Sequence, residues 1–111
     1  MALTHAGPGT AIALRGGALV PGEPKSQALF KSQDLEVLRL ALAAGDALPP
    51  HRVAGEIIVH CLSGVLQLGL DGGRCILRAG EMSYLSGGAQ HDVLALEDCV
   101  ALVTIALAAR G

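Results

Sequence analysis

From Gly55 onward the chain is written in short apolar runs of strand length separated by Gly, Pro or charge. Ile57 to Leu62, Val65 to Leu70 and Arg74 to Leu77 read as successive strands, with Asp71-Gly72-Gly73 as the hairpin turn between the last two. Met82 to Leu85, Asp92 to Leu96 and Val100 to Leu107 add three more. Upstream the pattern is less decisive. Leu29 to Lys31 is a short run, and Asp34 to Ala44 (DLEVLRLALAA) holds strong helix formers that allow a helix from Ser32 to a Gly45 cap. The same stretch also alternates, with Leu38, Leu40 and Leu42 on one face and Arg39 opposite, which suits a strand. Before about Ser26 the density of Gly and Pro makes a regular core element improbable, apart from one short strand near Ala18 to Val20. Many short strands with regular turns predict an all-β sandwich or closed barrel. There is no internal repeat, so a single unit is expected.

At 111 residues the chain is one domain, divided into a loosely ordered arm over 1–24 and a β domain over 25–111. The hydrophobic fraction is 51%, yet Phe30 and Tyr84 are the only aromatic residues. With a net charge of −2, this lack of stacking platforms and basic grooves argues against nucleic acid as a partner. No apolar run approaches the ~20 residues needed to span a bilayer. The first residues lack the basic start and unbroken apolar core of a signal peptide, so a cytosolic location is expected. Cys61, Cys75 and Cys99 have no metal-ribbon or redox spacing and are expected to be free, buried thiols. Both faces of Ile57 to Leu62 are largely apolar, more than a thin domain of this size covers alone, and a homodimer follows as an expectation.

Two segments carry the candidate chemistry. GDALPPHRVAGEIIVHCLSG, from Gly45 to Gly64, delivers His51 after Pro49-Pro50, whose fixed φ stiffens the backbone entering the histidine. GEMSYLSGGAQH, from Gly80 to His91, delivers a second histidine after a glycine turn. The pair resembles the two signature motifs of the cupin superfamily, G-x5-H-x-H-x3-4-E-x6-G and G-x5-P-x-G-x2-H-x3-N. Gly45, His51 and Gly64 match the first, and Gly80, Gly88 and His91 match the second, with Ser86 in the proline slot and Ala95 in the asparagine slot. The resemblance spans Gly45 to Ala95, about half the chain. It implies a single cupin jelly-roll β-barrel and requires a strand running into Gly45, which decides Asp34 to Ala44 in favour of β. It also implies an interior site for a small molecule. The slots of the second histidine and of the carboxylate hold Val53 and Ile57, so two of the four family metal ligands are missing.

Side-chain parity bears on what joins His51 and His91. With Ile57 in the carboxylate slot, Val59 and Cys61 share its face, leaving Glu56, Ile58 and His60 on the other. A bulge at Gly55 would shift that register and turn Glu56 and His60 inward. Two ligand sets therefore stand open, His51, His60 and His91 or His51, Cys61 and His91. The first is the one named here, with Glu56 as an alternative ligand, because a divalent metal (Zn, Fe, Ni, Mn or Cu) needs about three protein donors. The expected cavity walls are Val53, Ile57, Val59, Cys61 and Leu85, with Met82 nearby. His5 falls in the Gly/Pro arm, Glu81 and Asp98 fall at turns, and no phosphate loop or nucleophile motif is present.

Three functions remain in view. One is an interior small-molecule site loaded with a divalent metal, where the resemblance implies oxygen activation, isomerisation or lyase chemistry. The others are a metal-free binding or sensing module and a packed dimerisation domain. No catalytic residue is assigned.

Overall fold

A computed structural model of the chain describes residues 6–14, 21–22 and 25–107. The expected strand near Ala18 to Val20, His5 and the chain end lie outside the described residues. Nine strands follow in order: β1 (Lys25–Lys31), β2 (Leu35–Leu42), β3 (Ala47–His51), β4 (Ile57–Ser63), β5 (Val65–Leu70), β6 (Gly73–Arg78), β7 (Met82–Leu85), β8 (His91–Ala95) and β9 (Cys99–Ala106). No described residue is helical. The stretch with helical propensity is β2, because its alternating leucines pair along all eight residues with β9 and bury Leu40 and Leu42 inside.

The strands form a five-stranded sheet, β1-β2-β9-β4-β7, and a four-stranded sheet, β3-β8-β5-β6, with every pairing antiparallel. One apolar cluster lies between them, drawing Leu42, Val59 and Cys61 from one sheet and Leu66, Leu68 and Val93 from the other. The jelly roll expected from the sequence is present as two facing sheets, whose ladders do not join into a ring among the described residues. β3 was not foreseen as a strand. Its two prolines cannot donate to a ladder, and they sit at the edge of the sheet in a bulge between Leu48 and His51.

Register shows how the interior is filled. At one end Leu42 pairs with Cys99, Cys61 with Ala101 and Leu66 with Ala95, all buried. At the other, Ile57 pairs with Ile105, Leu70 with His91, and His91 with His51. The sandwich is thus closed by aliphatic and thiol side chains at the first end. The second end carries the histidines.

Part of the N-terminal segment is tied down. Ala6 N–H donates to the Leu29 carbonyl at 3.1 Å, Arg39 Nε donates to the Leu14 carbonyl at 2.8 Å, and Gly22 N–H donates to Asp46 Oδ1 at 2.7 Å. Asp46 is buried, and its other carboxylate oxygen accepts from Ala43 N–H at 3.1 Å, so this unforeseen carboxylate caps the β2–β3 corner and holds the segment to it. Among the described residues no helix is long and apolar enough to cross a membrane.

Candidate functional site

His51 ends β3 and His91 begins β8, and the two are direct partners across the ladder. Their ring centroids are 4.3 Å apart with the planes tilted by 59°. His91 is buried, with 5% of its surface accessible, whereas His51 stands at the exposed rim. Each ring is held in the same way. His51 Nδ1 lies 3.1 Å from the Pro49 carbonyl and His91 Nδ1 lies 3.1 Å from the Ala89 carbonyl, each two residues upstream. A carbonyl oxygen only accepts, so each Nδ1 carries the proton, and in the neutral ring each Nε2 keeps its lone pair.

The turns that place the histidines are locked together. Gly88, with φ of 79°, donates its N–H to the Val53 carbonyl at 2.8 Å, and Arg52 donates to Gln90 Oε1 at 2.9 Å. A Cβ at Gly87 would run into the Ala54 carbonyl, so the adjacent glycines permit both the positive φ and the close approach of the two turns.

Both histidines open onto a cavity of about 150 Å³ between the sheets. Val53, Ile57 and Val59 line it, together with Leu38, Leu40, Leu48, Val93, Val103 and Ile105. Among the described residues Ser26 is the one polar lining residue besides the histidines. Several of these were missed from the sequence, although the alternation of Leu38 and Leu40 already gave them a common face. A larger groove of about 420 Å³ crosses the outer face of the four-stranded sheet, where the carboxylate of Asp92 lies over Gly69. It lacks the convergence of oriented imidazoles found inside.

The remaining expected site residues fall elsewhere. His60 is corrected from the ligand set: β4 pairs without interruption from Ile57 to Cys61, so the bulge expected at Gly55 is absent and the irregularity comes later, between Cys61 and Ser63. Alternation then places His60 on the outer face, paired with Met82 and Leu102. Met82 is likewise outside and 56% exposed, not at the cavity. Glu56 is exposed and accepts a hydrogen bond from Tyr84 Oη at 2.8 Å, which pushes the Tyr84 phenol above its ordinary range. Cys61 and Leu85 are buried in the packed core rather than along the cavity. The Cys61 thiol donates to the Ser63 carbonyl at 3.4 Å, and burial raises its pKa; burial also raises that of Cys99, to about 11. All three cysteines are free.

A cupin domain model matches residues 38–105. The chain belongs to the cupin family. Solved structures carry the same fold. A conserved protein of unknown function from Streptococcus pyogenes superposes with a TM-score of 0.81 at 19% identity, covering 96% of this chain and 95% of that one. An RmlC-like cupin from Desulfovibrio desulfuricans gives 0.78 at 23% identity over 87% and 94%. A cupin superfamily protein from Desulfitobacterium hafniense gives 0.76 at 15% identity over 80% and 82%. No curated protein matches the sequence.

The cupin family's association with metals can be tested against the donors present. Two oriented imidazoles stand at the cavity, but the family's remaining ligand slots hold Val53 and Ile57, both part of its aliphatic wall. Among the described residues no group of three or more His, Cys, Asp or Glu is placed to hold a metal ion. Two neutral imidazoles fall short of the usual three-donor site, so the donor set does not fit a tightly held metal.

Proposed function

We propose that this cupin is a binding module for a compact, largely apolar small molecule, taken up in the cavity between the sheets without a tightly bound metal. The observation that carries the reading is the convergence of His51 and His91, each oriented by its own backbone, on a cavity otherwise walled by aliphatic side chains. Apolar walls supply affinity while a few fixed polar groups orient the ligand. An aliphatic cavity of about 150 Å³ is known to accept a single six-membered ring, so the ligand is small.

Methyl NMR tests the proposal directly. Titration with one-ring compounds is expected to shift Ile57, Val59, Val103 and Ile105 methyl signals together, leaving core methyls such as Leu66 in place. Val103→Phe, which fills the cavity, should abolish those shifts. Two results would count against it: no ligand-dependent shift at any cavity methyl, or one equivalent of divalent metal retained by untagged protein and removed by His91→Ala.

A further inference from the structure

The binding reading leaves the polarity of the ligand open, and the two histidines supply it. Both Nδ1–H groups are occupied by the Pro49 and Ala89 carbonyls at 3.1 Å, so rotation of either ring to present Nδ1–H to the cavity would leave a carbonyl without its donor. What neutral rings have left to offer is therefore one Nε2 acceptor each, on rings whose centroids are 4.3 Å apart. We infer that the cavity selects a neutral one-ring molecule bearing a hydroxyl group, of the phenol class, whose O–H is donated to one Nε2 of the histidine pair while its ring lies against the aliphatic wall. This inference rests on the proposed interior binding site and names the chemistry that site prefers.

The competing chemistries fit less well. A carboxylate would be served best by a fixed cation, and among the described residues no Lys or Arg lines the cavity; Arg52, beside His51, turns to Gln90 at the rim. An ammonium group would lose its hydration against nine aliphatic side chains, with no carboxylate among the described lining residues. A plain hydrocarbon fits the walls but offers nothing to the single acceptor of the His91 ring, Nε2, which lowers its affinity relative to a donor of equal shape. The Ser26 hydroxyl, at the β1 side of the cavity, both donates and accepts and so does not oppose this polarity.

The experiment compares phenol, toluene and benzoate as probes by calorimetry and methyl NMR, all three under the same buffer conditions. Phenol is expected to bind at least about tenfold more tightly than toluene, and benzoate more weakly than either. His91→Leu keeps an apolar side chain of similar bulk and should bring the phenol-to-toluene ratio down to about one while toluene still binds. His51→Leu, at the exposed rim, should reduce the same ratio and serves where the buried substitution fails to fold. Equal affinity for phenol and toluene in the wild type, or a ratio unmoved by both variants, would overturn the donor preference while leaving the interior site standing. Benzoate binding best would also overturn it, in favour of an anion site. Failure of all three probes to perturb the cavity methyls would instead remove the interior site itself, and this inference with it.

Discussion

The histidine pair lies in the four-stranded sheet, and Cys61 and Cys99 lie on strands of the facing sheet, where burial gives them a different chemistry. His51 and His91 meet because β3 and β8 put them opposite each other, and identical contacts to carbonyls two residues back set their tautomers. That pairing was legible in the sequence from the glycine turn and the two prolines. The role of His60 was not, because it depended on whether one residue was inserted near Gly55, and periodicity does not reveal an insertion that leaves the residue types unchanged. Cys99 sits at the closed end, where burial, reinforced by the charges of Cys61, Asp98 and Asp46, raises its pKa from 9.0 to about 11. The folded protein then holds that proton more tightly than the unfolded chain. The resulting stability is fully present below about pH 9 and is lost as the pH rises through about 11. Thermal melts across this interval should show the melting temperature falling with pH, and Cys99→Ala should flatten the fall relative to wild type. Equal slopes for the two proteins would remove Cys99 as a contributor. In the native state Cys75, which is half-buried, should alkylate before Cys61 and Cys99.

At the level of strands, most of the architecture could be read before the structure was seen, since β4 through β9 each fall on an apolar run bounded by Gly or charge. β3 escaped because Pro-Pro is evidence against a central strand, and only its edge position with a bulge makes it acceptable. Alternation identifies the inner face of each strand, which sufficed for the jelly roll, but not whether the outermost strands pair. The glycines between strands permit a sharper test. A Cβ at Gly55 would run into the Ala106 carbonyl, fixed by the Ala106 N–H bond to the Glu56 carbonyl at 2.9 Å. A Cβ at Gly69 would meet first the end of the Asp92 side chain, which can swing away from the outer face. Gly55→Ala is therefore expected to cost about 1–3 kcal/mol, because β9 must shift away from β4. Gly69→Ala should cost less than about 1 kcal/mol. Urea denaturation of the two variants checks the order, and a Gly69→Ala loss equal to that of Gly55→Ala would contradict it.

For the whole molecule, the outer face of the five-stranded sheet divides into two halves. Along β1 and β2, Val37 and Ala41 are buried and the 6–14 segment is bonded to the same strands through Leu29 and Arg39. Along β4 and the edge strand β7, Ile58 pairs with Tyr84 and His60 with Met82, and Ile58, Met82 and Tyr84 are all exposed. An apolar outer face beside an uncovered edge strand is a common setting for association. We propose that a second copy of the chain covers it, which also gives His60 a place at a contact between subunits rather than in the ligand site. Sedimentation at micromolar concentration should then find about twice the chain mass of 11.2 kDa. Met82→Glu combined with Tyr84→Glu should yield the single-chain mass by placing like charges opposite one another across the twofold axis. The same double variant should retain the cavity methyl shifts with phenol, since neither side chain lines the cavity. His60→Ala should weaken association and leave phenol affinity unchanged. Loss of phenol binding in His60→Ala with association intact would return His60 to the interior. A single 11.2 kDa species at every concentration of the wild type would leave this face without the partner assigned to it.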